Sequence, residues 1–299
     1  MKNIAKYLIR LLRKKWKSSS LKRHYWRLLS QIHKAVAGVH TFGYLVKADE
    51  FYFAVSSEDM SLGRTLRQTG RYGVDELAKI SSYIDENSNV IFVGGHIGAL
   101  AIPVAHKVRR LRVIEANPNT YSLLELNVAL NKIENIQLHN VAAGEKSGEI
   151  QFLLSRVHSG GSKRMPEVQK SMYFYDQPEI VSVEMVSIDD LLKSDDEQID
   201  HIFMDIEGSE YFALLGMSET LKRTKNISVE FVPHHLRNVA SISVEQFCHP
   251  LINNFAFCYI PTKKVCVASE RAVKLLEEMF AKDESDEGIV FSKSPIVIE

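Results

Sequence analysis

The chain predicts an α/β fold built on a mostly parallel sheet, and three observations carry that reading. Val90-Ile91-Phe92-Val93 is a short apolar run that drops into Gly94-Gly95-His96-Ile97-Gly98, the pattern of a buried strand entering a tight turn. Leu111-Arg112-Val113-Ile114 follows as a second strand ending on Glu115. That acid stands 21 residues after Gly94, about the separation at which a βαβ unit sets a carboxylate against a ribose. Further on, strand-like runs alternate with helix-periodic stretches, and polar residues collect where the strands stop: Asn140, Asp205, Glu207, Glu230 and His234. Such alternation means a parallel sheet with ligand sites at the carboxyl ends of its strands.

The length, 299 residues at 45% hydrophobic and 25% charged, suits one α/β domain with an appendage. We place a basic helical extension at 1–40 and the domain at 41–299, with its motif core at about 88–265. The net charge of zero hides an asymmetry: residues 1–48 carry twelve Lys/Arg and no acid, so the other 251 residues hold 25 basic and 37 acidic side chains. Cys248, Cys258 and Cys266 lack metal-ligand spacing and read as reduced thiols of a cytoplasmic protein. No run approaches the ~20 apolar residues of a membrane span. Arg10 and Arg13-Lys14-Lys15 interrupt any signal-peptide core.

In chain order, Ile4, Leu8, Leu11, Leu12 and Trp16 share one face of a helix over Lys2–Lys17, with Lys6, Arg10, Arg13, Lys14 and Lys17 opposite. A basic amphipathic helix of this kind lies on an anionic membrane surface or docks on its own domain. A second basic helix is expected from Leu21 to Val36, then a hairpin of Thr41–Lys47 and Glu50–Val55 about Ala48-Asp49. Short helices near Ser61–Arg67 and Val74–Tyr83 lead into the glycine turn, and an apolar-periodic helix runs from Ala99 to Val108. Pro118–Asn131 is a helix after Asn117; Ile136–His139, Glu149–Leu154 and Ile180–Val186 are strands. Between the last two, Val157–Gln177 is a long polar connection in which Ser159–Ser162 and Lys163-Arg164 form either a lid over the acceptor or a mobile loop. Ser187-x-x-Asp190 marks a helix start. Strands at Ile202–Asp205, Ile227–Phe231, Phe255–Ile260 and Ile289–Phe291, with helices at Val244–Leu251 and Arg271–Phe280, complete the alternation; Asp283–Glu287 reads as a solvated acidic linker.

Taken together, these blocks resemble the FkbM family of S-adenosylmethionine-dependent methyltransferases. The family's "DVGAxxG" corresponds to Phe92–Gly98, its "FEPxP" to Ile114-Glu115-Ala116-Asn117-Pro118 with Leu124 and Asn127 behind, and its "DxEGxE" to Asp205-Ile206-Glu207-Gly208-Ser209-Glu210. The resemblance covers roughly residues 58–265. It implies a class I, Rossmann-like methyltransferase fold: a mostly parallel seven-stranded sheet with helices on both faces. It also implies S-adenosylmethionine as cofactor, and O-methylation of a hydroxyl on a sugar, glycan or natural product. By the same resemblance Gly94, Gly95, His96 and Gly98 face the methionine portion, Glu115 the ribose, and Asn140 and Ala142 the adenine. Two positions depart from the pattern: Phe92 stands where the family has an acid, and Phe203 where it often has a lysine. A catalytically silent binding or scaffolding protein is therefore the alternative. A nicotinamide-dependent oxidoreductase would leave Asp205-x-Glu207-Gly208 unexplained.

Methyl transfer to an alcohol needs two aligned partners and an acceptor for the hydroxyl proton. Asp205, Glu207 and His234 are the expected catalytic residues, with Asp205 also reaching the cofactor, His235 next in line and Glu210 a helix-surface acid. Oxygen ligands from Asp205, Glu207 and Glu230 beside His234 would suit Mg²⁺, but no spacing fixes such a site and no metal is expected. The expected partners are a small-molecule or glycan acceptor and, through residues 1–27, an anionic membrane surface, with the protein peripheral on its inner face and no nucleic acid bound.

Overall fold

Most of the β-branched runs that the sequence marks as strands assemble into one central sheet, whose two faces are both covered by apolar cores. The structure is a computed structural model that describes residues 20–38 and 40–296. The amphipathic segment Lys2–Lys17 lies outside them. Helix α1 spans Ser20–Ala37, where the second basic helix was expected. The hairpin follows as β1 (Gly43–Ala48) and β2 (Phe51–Ser56), paired from Ala48↔Phe51, with Asp49 at φ 49 in the turn. Next come α2 (Leu62–Thr69) and α3 (Val74–Ser81).

The central unit is β3 (Asn89–Val93), α4 (Ala101–Ala105), β4 (Arg110–Ile114), α5 (Pro118–Leu130) and β5 (Ile136–His139). Helix α4 is much shorter than the expected Ala99–Val108. Pro103 has no N–H to give to residue 99, so the ladder toward the turn is interrupted there and rests on Ile102 N, which donates to Gly98 O. Asn117 caps α5, its side chain accepting from the amides of Asn119 and Thr120. Short β6 (Ala142–Ala143), β7 (Gly148–Leu154), β8 (Lys163–Arg164) and β9 (Glu179–Val186) form a separate four-stranded sheet in the order β6-β9-β7-β8. The Ser187 cap starts α6 (Ile188–Leu191) as its spacing predicted.

The chain then returns through β10 (Ile199–Met204), α7 (Glu210–Leu215), α8 (Ser218–Lys222), β11 (Thr224–Phe231) and the single turn α9 (Pro233–His235). It finishes with α10 (Val244–Ile252), β12 (Phe257–Ile260), β13 (Val265–Ala268), α11 (Ser269–Ala281) and β14 (Asp286–Ser292). The main sheet runs β13-β12-β14-β11-β10-β3-β4-β5. It has eight strands rather than the expected seven, because β13 folds back on β12 around Lys264, which sits at φ 52. Pairing is parallel from β5 to β11 and antiparallel among β11, β14, β12 and β13.

Alternation along the strands separates two cores. Ile91, Val93, Ile202, Met204, Val229 and Phe231 pack against Leu214, Leu221, Phe247, Leu251 and Leu276 on one face. Val90, Phe92, Leu111, Val113 and Phe203 meet Ile80, Val104 and Leu124 on the other. The acidic stretch before β14 is not simply solvated. Asp286 is 2% exposed and accepts from Thr262 N and Oγ1, pinning the β12–β13 turn. Cys248, Cys258 and Cys266 are free thiols. Among the described residues no helix is long and apolar enough to cross a membrane.

Candidate active site

A cavity of about 1230 Å³ opens at the carboxyl ends of β3, β4 and β10. Its floor is the glycine turn, whose geometry is set by close backbone packing. Gly94 lies at φ 97, and a Cβ there would stand 1.9 Å from the Asp205 carbonyl oxygen. A Cβ on Gly95 would meet Val113 Cγ1 at 2.0 Å. Both glycines line the cavity; Gly98 does not, and packs instead against Leu124 and Ile102. Buried Asn127 ties the turn to the hairpin, donating to Ile97 O and Ala54 O and accepting from Ala54 N.

Glu115 lines the cavity at 8% exposure. One carboxylate oxygen accepts from His96 N at 2.6 Å, the other from Asn117 N and Thr120 Oγ1. Burial pushes its pKa up, against the pull of these donors. Asn140 stands behind it, donating to the Glu115 carbonyl, and does not line the cavity. Ala142 does, in an apolar wall with Ala143, Phe152 and Met185.

Past β10 the "DxEGxE" stretch turns sharply, with Glu207 at φ 56 and Gly208 at φ 100. The residue that satisfies this turn is Glu210, which accepts from Ile206 N and Gly208 N and is 3% exposed. It is therefore not the surface acid that its helical position suggested, because the helix starts on the residue whose side chain folds back over the turn. Glu207 is left free to meet Lys163 Nζ at 2.9 Å and His235 Nε2 at 3.3 Å; His235 Nδ1 meets Glu230 at 3.2 Å. Burial opposes ionisation of Glu207, but Lys163 and His235 outweigh it and hold the carboxyl far below its usual range. Burial likewise disfavours the His235 cation, yet its bonds to Glu207 and Glu230 raise it to about 9. Asp205 opens onto the cavity and is pushed well up by burial and by Glu230 and Glu207. Glu210 rises to about 7 for the same reasons, burial first and Glu230 second. Carboxylate oxygens of Asp205, Glu210 and Glu230 all lie within 4.8 Å of one another.

His234 is placed differently from the expectation. Its ring stacks on Tyr173 and it does not line the cavity, while its neighbour His235 makes the contacts with Glu207 and Glu230. The connection over 155–177 is a built wall rather than a bare loop: Ser159, Lys163, Tyr173 and Asp176 are all buried. Through it His96 Nε2 contacts Ser159 Oγ, which donates to Asp59. Sequence reading passed over Asp59, whose turn-forming bond to Ser61 N just before α2 was the one local signal available. The two departures from the family pattern sit side by side: Phe92 and Phe203 are register partners on β3 and β10, with ring centroids 5.0 Å apart. Both line the cavity.

A family model described as the methyltransferase FkbM domain matches residues 93–249, just over half of the chain. No curated protein matches. Among solved structures, the FkbM methyltransferase of Methylobacillus flagellatus KT is 16% identical over 70% of this chain and 44% of its own, at a TM-score of 0.37. M. jannaschii TYW2, solved with AdoMet, is 12% identical over 84% of this chain and 85% of its own, at 0.40. The tRNA (uracil-54, C5)-methyltransferase of Pyrococcus abyssi, solved with S-adenosyl-L-homocysteine, is 10% identical over 64% and 34%, at 0.38. The chain thus spans less than half the length of two of these three.

Proposed function

Because the chain belongs to the FkbM methyltransferase family, we propose that it transfers the methyl group of S-adenosylmethionine to a hydroxyl oxygen of a sugar, glycan or natural product. The observation that carries this reading is the pairing, in one cavity, of a nucleoside-type floor with a wall of ionisable groups. Gly94 and Gly95 line the floor on which the methionine portion would lie, and close packing against Asp205 O and Val113 requires both to be glycine. Glu115 keeps one of its about four acceptor sites for a ribose hydroxyl beyond the three donors it already accepts. Ala142, Phe152 and Met185 offer an apolar slot for adenine. Gly98 and Asn140 support this floor from behind. S-adenosylmethionine supplies the electrophilic methyl group when bound. The chain aligns the acceptor, with the Asp205 carboxyl as a hydrogen-bond partner at the cavity and Glu207 as a fixed anion. His234 acts at most through Tyr173 and His235.

Titration calorimetry of the full chain with S-adenosylmethionine and, in parallel, NAD tests the reading. Binding of S-adenosylmethionine alone is expected, and binding of NAD alone ends it. One observation favours the second reading, a silent member: the Phe92–Phe203 pair removes two charges from the cavity wall. A chain that binds the cofactor yet methylates no hydroxyl in a panel of glycosides would be that member.

Residues 1–27 serve in this reading as an address on an anionic membrane surface. Its support is the charge split of the sequence and the face of α1, where Leu28, Ile32 and Val36 recur at one helical spacing and are 55%, 48% and 83% exposed. Each cation near an anionic leaflet contributes about 1 kcal/mol. The full chain is expected to sediment with phosphatidylglycerol vesicles and to release in high salt, with Ile32→Glu weakening the association. Equal partition onto neutral vesicles would refute the address.

A further inference from the structure

His96 makes a set of buried contacts that a nucleotide-binding turn does not require. It holds a left-handed conformation, φ 49, which costs about 1 kcal/mol or more for a residue with a bulky side chain. That conformation aims the imidazole at the 155–177 connection, with Nε2 2.7 Å from Ser159 Oγ. Ser159 Oγ in turn donates to Asp59 Oδ2 at 2.6 Å. Asp59 and Ser159 are 2% and 8% exposed. These contacts decide the tautomer. A hydroxyl has one proton, and a carboxylate only accepts, so Ser159 Oγ must receive its other bond from Nε2–H. A neutral imidazole protonated on Nε2 carries a bare lone pair on Nδ1. No bond to Nδ1 is made among the described residues. Nδ1 lies beside Gly160, where an added Cβ would stand 3.9 Å away, and both residues line the cavity.

We propose that His96 is the general base of the methyl transfer and that Ser159 and Asp59 position it. The assignment rests on the O-methyltransfer reading above. The acceptor oxygen bonds to the methyl carbon as the S–C bond of the sulfonium breaks, leaving the neutral thioether, and the hydroxyl proton passes to His96 Nδ1. The imidazolium so formed keeps its Nε2–H on Ser159, whose own proton points to the Asp59 carboxylate, and it returns the extra proton to solvent once the products leave. The other groups of the wall are worse placed. Lys163 and His235 hold Glu207 as a stable anion, His235 is already a cation, and Asp205 shares its surroundings with Glu210 and Glu230. Burial keeps His96 neutral, down to about 4, against the opposing charges of Asp59 and Glu207 and with that of His158.

The test uses full-length protein labelled with ¹⁵N-histidine, with His96 resonances assigned by their loss in His96→Gln. The expected spectrum at neutral pH shows a proton on Nε2 and none on Nδ1. Ser159→Ala should erase that preference and Ser159→Thr, which keeps the hydroxyl, should restore it; Asp59→Asn gives a second route if Ser159→Ala folds poorly. A proton on Nδ1, an imidazolium at neutral pH, or a tautomer indifferent to Ser159→Ala overturns the assignment. Calorimetry on the same proteins separates the two readings. Wild-type protein without affinity for S-adenosylmethionine ends the functional reading, whereas affinity with the wrong tautomer ends only the role of His96. With methyl glycosides as acceptors, His96→Ala should lower kcat by about 100-fold or more at unchanged cofactor affinity. A parallel loss of affinity would make His96 a cofactor ligand instead.

Discussion

Two turns at the carboxyl ends of neighbouring strands each carry a non-glycine residue in the left-handed region: His96 after β3 and Glu207 after β10. Both side chains reach the same connection, His96 at Ser159 and Glu207 at Lys163. The first turn ends in a neutral imidazole on a buried hydroxyl. The second ends in a row of full charges, Lys163–Glu207–His235–Glu230. Similar backbone geometry thus serves opposite ends. A charge row with every member paired resists any change of protonation, because losing one partner strands the next. A neutral relay with one open lone pair is free to take a proton. The site divides fixed charge from mobile proton between two adjacent turns.

The largest effect is expected from cutting the charge row. Lys163→Met leaves Glu207 and Glu230 with His235 alone, and Lys163 is buried. Removing one partner of a buried pair costs about 3–5 kcal/mol, to be read from denaturant unfolding. A loss below about 1 kcal/mol, the scale of exposed pairs, would erase the distinction between the turns.

One layer beneath them, Phe92→Asp puts an unpaired carboxylate against Phe203, at a site 5% exposed. Stability should fall by roughly 2–4 kcal/mol with no gain in cofactor affinity. Adding Phe203→Lys on the facing strand should recover about 1–2 kcal/mol of it, since neighbours in contact couple on that scale. Tighter S-adenosylmethionine binding by Phe92→Asp alone would mean that the aromatic pair weakens the site rather than rebuilding it.

Glu115 sharpens the comparison on the cofactor side. Glu115→Ala removes the acceptor for His96 N, and with it any bond to ribose. Charge-assisted bonds contribute about 1.5–3 kcal/mol, so the dissociation constant for S-adenosylmethionine should rise about 10- to 100-fold. An unchanged constant in calorimetry would remove Glu115 from the cofactor site.

The smallest effect is a pH dependence peculiar to the charge row. His235 has a folded pKa of about 9, above the ordinary value near 6.5. Its contribution is therefore complete below about pH 6.5 and is lost as pH rises through 9. Glu210, raised to about 7, adds a decline of the same sign at lower pH. With water screening the partly open partners, the His235 part is on the order of 1–2 kcal/mol. Urea unfolding between pH 6.5 and 9 should show it, and His235→Gln should flatten that limb.

What the sequence determined by itself is whatever repeats over a few residues. Apolar runs and glycines place β3, its turn and β4, and the spacing from Gly94 to Glu115 puts a carboxylate into the cavity. The Ser187 and Asn117 caps are legible because cap and helix lie within three residues of each other. Tertiary structure decided the rest. The partners of the two turns are joined across 63, 100 and 44 residues, and no periodicity links them. Whether Ser159 and Lys163 belong to a lid or a wall depended on how the 155–177 connection meets Asp59 and Met60 ahead of α2 and Glu207 after β10. The same is true of Glu210 and Asp286, which look solvated in sequence and are buried because each side chain folds back on nearby turn amides. The eighth strand, the short α4 and the choice of His235 over His234 follow similarly. A hydrogen bond fails over a fraction of an ångström or a few tens of degrees, and that precision is set only when distant segments are packed together.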